Sequence, residues 1–104
     1  MSKTAGFFNE YLPSKIEKNP DLAKSVAATF QFNITGAGEW YADLKGDNTV
    51  AAGTHDAPDC VITAAQSDWE DILDNPGSAV GKVMTGKLKV SNLGQATKLQ
   101  KLLA

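Results

Sequence analysis

Two neighbouring segments, at residues 29–35 and 40–45, alternate apolar and polar side chains with a period of two. This period is the pattern of β-strands that bury one face and expose the other. The turn Gly36-Ala37-Gly38 separates the segments, so we expect them to pair as a hairpin. The apolar face of this hairpin carries Phe30, Phe32, Ile34, Trp40, Ala42 and Leu44. Other segments of the chain have to cover that face, because a sheet with one apolar side is stable only when that side is packed.

Three more segments continue the two-residue alternation. A weaker strand is predicted at residues 49–53, and another at residues 59–65, where Cys60 lies on the more apolar face. Near the C-terminus, Leu88 and Val90 alternate with lysines in a short strand. The shared pattern favours an antiparallel-rich sheet that helices cover on a single face.

Apolar residues at helical spacing lie before and after the predicted strands. An N-terminal amphipathic helix is predicted over residues 7–16, and Pro13 should bend or break it because proline lacks an N–H. Asn19-Pro20 and Asn75-Pro76 each have the pattern of an N-cap followed by proline at the first helical position. Ser67-Asp68-Trp69-Glu70 fits a capping box, in which the serine and glutamate side chains satisfy the helix start.

A closing amphipathic helix is predicted at the C-terminus. Asn92 can cap its start, since an asparagine side-chain oxygen accepts one of the free N–H groups of the first turn. Ala96, Leu99 and Leu103 recur at helical spacing and form the face expected to be buried.

Positive charge is concentrated in this C-terminal part. From Lys82 onward there are five lysines and no acidic residue, whereas the earlier residues hold five lysines and twelve carboxylates, a net of −7. The asymmetry predicts transient contact with an anionic surface, either a membrane or the phosphates of an acyl-CoA; the alternative is that these lysines are simply solvated. All ten basic residues are lysine and the formal net charge is −2, so we expect no nucleic-acid partner.

The length and composition of the chain predict a single domain over residues 1–104. A chain of this size buries about two-thirds of its extended-chain surface. No apolar run approaches the roughly 20 residues that span a bilayer, and the N-terminus has no signal-peptide pattern. The last residues, Leu102-Leu103-Ala104, are not a peroxisomal tripeptide.

One cysteine and one histidine exclude an internal disulfide and a zinc cluster. We therefore expect a cytoplasmic monomer that uses no metal or cofactor.

Three sequence features could carry chemistry. The segment from Gly81 to Lys87 has the spacing of a phosphate-binding loop, but Leu88 stands where a serine or threonine is required. His55 is the single imidazole and is predicted to be a solvated loop residue, whereas Cys60 is predicted to be a small buried hydrophobe. No pattern brings a nucleophile to a base, so we expect the domain not to be an enzyme.

Several stretches resemble the sterol carrier protein-2 family of non-specific lipid-transfer domains. They are Asp59-Cys60-Val61-Ile62-Thr63 with Ser67-Asp68-Trp69, the run Thr85-Gly86-Lys87-Leu88-Lys89-Val90, and the segment Asn92-Leu93-Gly94 with the residues that follow it. The hairpin is similar as well, and the resemblance spans most of the chain. Ser91 departs from the family pattern, which usually has glycine before this asparagine.

The resemblance implies a five-stranded, mostly antiparallel sheet, covered on one face by helices and enclosing an apolar tunnel. The implied ligands are sterols, fatty acids, fatty acyl-CoA and phospholipids, bound and transferred without catalysis. The residues expected to contact the ligand face the tunnel from the matched strands and the covering helices. They are Phe8, Phe32, Ile34, Trp40, Ala42, Leu44, Ile62, Trp69, Val83, Met84, Leu88, Val90 and Leu99.

Other functions stay open at the level of sequence. One is a small-molecule enzyme with acidic and hydroxyl groups converging in the same cavity, which perturbed carboxylates inside the pocket would indicate. Another is an accessory domain that presents a lipid or acyl-CoA substrate to a partner enzyme. A third is an interaction domain with a solid core and a large exposed apolar patch.

Overall fold

The computed structural model describes residues 3–103, apart from the side chain of Ala96. Five strands form one mixed sheet in the order β3-β2-β1-β4-β5. Strand β1 pairs in parallel with β4, and the other three pairs are antiparallel. The strands are β1 (Thr29–Thr35), β2 (Gly38–Asp43), β3 (Thr49–Ala52), β4 (Cys60–Ala65) and β5 (Leu88–Val90). This confirms the predicted mostly antiparallel five-stranded sheet, with β5 as one of its two edges.

The helices pack on the face of the sheet that carries the apolar residues of β1. Phe30, Phe32 and Ile34 are fully buried there, as the alternation predicted. The helices are α1 (Lys3–Gly6), α2 (Leu12–Lys18), α3 (Pro20–Val26), α4 (Gln66–Asp74), α5 (Ala79–Met84), α6 (Leu93–Ala96) and α7 (Leu99–Leu103). A π-helical turn, Phe7–Tyr11, joins α1 to α2, and a 3₁₀ turn, Pro76–Ser78, precedes α5.

The N-terminal helical segment continues past Pro13 without a break, but its helix type changes from π to α directly before the proline, where the sequence predicted a bend or a break. The π-helical turn ends directly before α2, and the backbone N–H of Leu12 donates to the carbonyl of Phe7. A wider turn leaves room for the proline ring, which would otherwise crowd the carbonyl of the preceding turn. Both Phe7 and Phe8 are buried in consequence, one after the other on the inner side.

The start of α4 also differs from the prediction. The helix begins at Gln66 with Ala65 as its N-cap, so the predicted capping box at Ser67 is wrong. The Glu70 carboxylate instead accepts hydrogen bonds from the hydroxyl and backbone N–H of Thr4, at 2.9 and 3.2 Å. A hydrogen bond from the Gln66 amide, followed by the bonds from Thr4, lowers the pKa of Glu70. The Thr4 bonds also tie α1 to α4.

A crossover loop at residues 53–59 packs on the opposite face of the sheet, and buried Gln31 anchors it. The Gln31 amide nitrogen donates to the carbonyl of Gly53 at 3.1 Å, and its oxygen accepts the backbone N–H of His55 at 2.7 Å. The His55 ring packs edge-on against Tyr41 at 5.4 Å and lies 3.8 Å from the carboxylate of Asp43. His55 is therefore a loop residue, as predicted, but it is half-buried rather than fully solvated.

Candidate ligand-binding cleft

An apolar cleft lies at the β5 edge of the molecule, where α5 faces the C-terminal helices. Its volume is about 260 Å³. It is lined by Ala79, Val80, Val83, Met84, Leu88, Val90, Leu93, Thr97, Leu99 and Gln100. Eight of these ten side chains are apolar and none is ionisable. The lining provides no group for acid–base or nucleophilic chemistry.

The short helix α5 forms the wall of the cleft that reaches furthest into solvent. Ala79 is buried and Val83 half-buried, whereas Val80 and Met84 are 62% and 81% exposed. Residues four apart lie above one another on a helix, so these last two form one outward apolar stripe. Across the cleft, Leu93 at the start of α6 is 65% exposed. Three exposed apolar side chains therefore surround the opening.

Two side-chain hydrogen bonds hold the far wall. The Gln100 amide donates to the carbonyl of Pro76 at 3.0 Å, which ties α7 to the turn before α5. The side-chain oxygen of Asn92 accepts the backbone N–H of Gln95 at 3.2 Å, which confirms Asn92 as an N-cap. The single closing helix that was predicted is instead divided into α6 and α7. Leu99 and Leu103 are buried as predicted, while the side chain of Ala96 lies outside the described part of the structure.

Lys82 fixes α5 to α4. Its ammonium lies 3.2 Å from the carboxylate of Asp68 and 3.3 Å from that of Asp71. The hydrogen bond to Asp68 is the main reason that the pKa of Lys82 is raised. The cationic side chain therefore points away from the apolar lining and is neutralised by its two partners.

Five of the thirteen predicted contact residues line this cleft: Val83, Met84, Leu88, Val90 and Leu99. The other eight lie in the packed core beside it, buried against one another. They are Phe8, Phe32, Ile34, Trp40, Ala42, Leu44, Ile62 and Trp69. Within residues 3–103 the apolar space is a cleft with one open side, so the enclosed tunnel implied by the resemblance stays a prediction.

The aromatic side chains explain why the core beside the cleft is solid. The Phe8 ring stacks on Trp40 with centroids 4.8 Å apart and on Trp69 at 5.8 Å. Phe32 packs against Phe8 at 4.9 Å and against Trp69 at 5.5 Å. The indole N–H of Trp69 is buried without a hydrogen-bond partner among the described residues, and its ring meets the edge of Phe7. These rings fill the space between the sheet and the helices.

The sequence interpretation missed five lining residues: Ala79, Val80, Leu93, Thr97 and Gln100. The sequence contains a pattern that could have identified two of them. Val80 is an apolar residue of the helix that the Asn75-Pro76 cap predicts, and Leu93 directly follows the predicted cap Asn92. The polar pair Thr97 and Gln100 carries no such signal, because their place in the lining depends on how α6 and α7 meet.

The structure also bears on the cysteine and on possible metal sites. Cys60 is fully buried, burial raises the pKa of its thiol, and its Sγ lies 3.6 Å from the carbonyl of Asn92. This confirms the small buried hydrophobe. Among residues 3–103, no three histidine, cysteine, aspartate or glutamate side chains converge on a possible metal position. No helix in that range is long and apolar enough to cross a bilayer.

The fold and the cleft define a class: an α+β domain whose sheet is covered on one face and opens at one edge into an apolar cleft. The family model described as the SCP-2 sterol transfer family matches residues 8–104, and the chain belongs to this family. This confirms the resemblance seen in the sequence.

Individual relatives agree with this assignment. Hydroxysteroid dehydrogenase-like protein 2 of Danio rerio is 32% identical over 92 residues, covering 83% of this chain and 22% of that protein. Sterol Carrier Protein 2 from Yarrowia lipolytica, solved in its apo form, is 26% identical with a TM-score of 0.75, covering 94% of this chain and 81% of that one. Palmitated SCP2L2 from Aedes aegypti is 28% identical with a TM-score of 0.69, covering 99% and 95%. The chain spans about a fifth of the length of the curated relatives it matches first.

Proposed function

We propose that this domain binds the apolar chain of a lipid in the cleft between α5, β5 and α6–α7 and carries it without chemical change. The observation that carries the proposal is the lining of the cleft, with eight apolar side chains and no ionisable one. Sites for apolar ligands are lined in this way, with a few polar groups that fix orientation. Thr97 and Gln100 are the polar groups available here.

The energetics suit a carrier. Each buried methylene contributes about 0.8 kcal/mol, so a chain of about 16 carbons gives roughly 12 kcal/mol of gross transfer energy. Association and ordering offset much of this. A bilayer offers the chain a similar environment, so exchange between the cleft and a membrane is close to balanced. A carrier needs this balance because it must release what it binds.

The size of the cleft predicts that it widens when it is filled. Its volume of about 260 Å³ is below the roughly 300–1,000 Å³ of ordinary ligand sites. We expect the outer side of the six-residue helix α5 to give way, since Val80, Gly81 and Met84 are exposed, while the ion pairs of Lys82 keep the helix next to α4. A fatty acid, acyl-CoA, sterol or phospholipid would enter beside it. We further propose that the domain works as a cytoplasmic monomer.

The test uses delipidated protein and a fluorescent long-chain fatty acid, with palmitate, palmitoyl-CoA, cholesterol and phospholipid as competitors. Val83→Trp places a bulky side chain in the lining, and we expect it to weaken probe binding at least tenfold. The matched control is Val61→Trp, the same change at a half-buried position of β4 outside the lining. Failure of every probe at micromolar concentration would contradict the proposal. If Val83→Trp binds the probe as tightly as the unaltered protein, the ligand does not bind in this cleft.

A second candidate is an accessory domain that presents a lipid substrate to an enzyme. The observation in its favour is that the first curated relatives are much longer proteins with enzyme names, of which this chain matches a fifth. In that case the domain should raise the kcat/KM of an oxidoreductase for a poorly soluble lipid, and Val83→Trp should abolish the gain. A purely passive carrier would leave the kcat/KM for the free lipid unchanged.

A further inference from the structure

We propose that the opening of the cleft docks on an anionic lipid bilayer through the mouth patch, which consists of Val80, Met84, Leu93, Lys87 and Lys89. The inference rests on the proposed function, because it assigns the surface through which a membrane lipid enters the cleft. It goes beyond that function by naming the partner surface and the residues that recognise it.

The apolar half of the mouth patch is the first observation. In residues 3–103 the structure has four large exposed apolar side chains, and Val80, Met84 and Leu93 are three of them. All three also line the cleft, so the exposed apolar surface is gathered around one opening. Apolar side chains that surround an opening can enter the interfacial region of a bilayer and join the cleft to the acyl chains.

Charge is the second observation. The chain has no acidic residue after Asp74, so the elements around the cleft carry lysines only. Lys82 is neutralised by Asp68 and Asp71. The side chains of Lys87 and Lys89 are exposed and make no ion pair with the described residues. The mouth patch is therefore cationic, whereas the remaining residues hold eight lysines and twelve carboxylates, a net charge of −4.

The other two C-terminal lysines lie near groups of the protein itself. The Lys101 ammonium is 3.3 Å from the hydroxyl of Ser25 in α3. Lys98 lies close enough to Asp59 to favour the charged form of that carboxyl. Lys82 and Lys101 thus have hydrogen-bond partners, and Lys98 has a carboxylate nearby without an ion pair. Lys87 and Lys89 have neither among the described residues and remain for an external anion.

Strand β5 places the two free lysines beside the apolar opening. Leu88 and Val90 line the cleft from β5, Lys87 directly precedes β5, and Lys89, which pairs with Thr63, points to the uncovered face of the sheet. Because β5 is the edge of the sheet, both sets of side chains border one rim of the molecule. Lysine has a long apolar stem, so its ammonium can reach headgroups while the stem follows the apolar surface.

The composition of the mouth patch favours a bilayer over a protein partner. The residues that dominate protein–protein binding are tryptophan, tyrosine and arginine. The mouth patch contains none of these residues; it consists of one valine, one leucine, one methionine and two lysines. Flexible aliphatic groups with lysines match a fluid surface of acyl chains and anionic headgroups.

The test measures binding of the protein to vesicles by co-sedimentation. Vesicles of 70% phosphatidylcholine and 30% phosphatidylglycerol are compared with pure phosphatidylcholine. We expect binding to the anionic vesicles, and an approximately 30-fold loss for Lys87→Gln/Lys89→Gln. This loss corresponds to about 2 kcal/mol, at about 1 kcal/mol for each lysine near an anionic surface. Val80→Ser/Leu93→Ser should weaken the same binding.

The matched control is Lys18→Gln/Lys24→Gln, which removes the same charge from two exposed lysines on α2 and α3. We expect this control to bind anionic vesicles within a few-fold of the unaltered protein. An equal loss in the control, or no loss in Lys87→Gln/Lys89→Gln, would overturn the assignment to the mouth patch. Binding to an acidic polypeptide such as polyglutamate but not to the vesicles would also overturn it.

A measurement without vesicles separates this inference from the proposed function. Neither Lys87 nor Lys89 lines the cleft, so the affinity of Lys87→Gln/Lys89→Gln for the fluorescent fatty acid should be unchanged. If the unaltered protein binds the fatty acid but ignores anionic vesicles at low salt, docking is wrong and the proposed function stands. If it binds vesicles but no lipid probe, the proposed function is wrong and docking stands.

Discussion

The hydroxyl oxygen of Ser91 accepts a hydrogen bond from the backbone N–H of Val61 at 2.8 Å. The backbone N–H of Ser91 in turn donates to the carbonyl of Val61 at 3.0 Å. Ser91 follows the last residue of β5, so the two bonds extend the pairing of β4 and β5 by one position. They fix the point at which the chain leaves the sheet and enters α6, and so they help to place Leu93 at the opening of the cleft.

Ser91→Gly should therefore lower the free energy of unfolding by about 0.5–1.5 kcal/mol, the usual net contribution of one hydrogen bond. The lower part of that range is expected if water replaces the hydroxyl at this exposed site. Urea denaturation measures the change, and Ser91→Thr, which keeps the hydroxyl, is the control. If Ser91→Gly is as stable as the unaltered protein, the hydroxyl contributes nothing to the junction.

The glycines in and after α5 should respond in opposite directions to the same substitution. A Cβ on Gly81 would meet no atom within 4 Å, so Gly81→Ala should stabilise the domain by roughly 0.4–1 kcal/mol through helix propensity and a more restricted unfolded chain. Gly86 has space too, but its φ of +78° is left-handed, and Gly86→Ala should destabilise by roughly 1–2 kcal/mol.

The reason for this contrast is the end of α5. The N–H of Lys87 donates to the carbonyl of Lys82, and the N–H of Gly86 donates to that of Val83, which is the Schellman pattern. This pattern requires a left-handed residue at the position of Gly86. Thermal unfolding of the two alanine variants, measured side by side, checks the prediction. A shift of the same sign in both would contradict it.

Acid should destabilise the start of β1 through Asp59. Its carboxylate accepts the backbone N–H of Thr29 at 2.9 Å and lies 3.3 Å from the ammonium of Lys45. The bond from Thr29 is the largest cause that lowers the pKa of Asp59 below its ordinary value of 3.8. A lowered pKa means that the stabilisation is fully present above pH 3.8 and is lost as the pH falls through the lower folded-state pKa.

Asp59→Asn tests this expectation. At pH 7 the variant should be less stable than the unaltered protein, because it loses the charge-assisted bond and the ion pair. The difference should shrink as the pH falls below 3.8, because Asp59 is protonated first in the unfolded chain and then, at its lower pKa, in the folded protein. Denaturant unfolding at several pH values measures the difference. A difference that does not change with pH would contradict the role of the charge.

Sequence reasoning predicted the local and periodic features of the fold. The alternation in β1 identified its buried face, and Asn92 was recognised as a cap because its partner Gln95 lies three residues away. The Ser67 capping box failed because Glu70 is engaged by Thr4, which lies 66 residues earlier in the chain. No local pattern contains such a partner.

The same limit applies to the cleft. Periodicity shows which side chains point inward, but it does not show whether the space between two inward faces is filled. The rings of Phe8, Trp40 and Trp69 stack on one another, although the three residues come from distant segments of the chain. The sequence pattern therefore does not show how much space these rings leave for a ligand. The cleft at the β5 edge depends on how α5, α6 and α7 pack against one another. The sequence pattern does not show how these helices are arranged.

The packing of the two tryptophans makes a final prediction about fluorescence. The family resemblance places Trp40 and Trp69 among the expected contact residues, and as contact residues their fluorescence would report on the ligand. In the structure both are buried in the aromatic core, and neither lines the cleft. Titration of the delipidated protein with palmitate should therefore leave the native emission maximum nearly unchanged. Met84→Trp, with the new indole in the lining, should instead shift to shorter wavelength as the cleft fills.

Val61→Trp is the control for the added indole, since it carries a third tryptophan on the opposite face of the sheet from the helices. Its emission should not change on titration. A shift or quench of the native emission that saturates together with probe binding would contradict this prediction. That result would mean that the aromatic core opens around the ligand and that Phe8, Trp40 and Trp69 belong to the binding site.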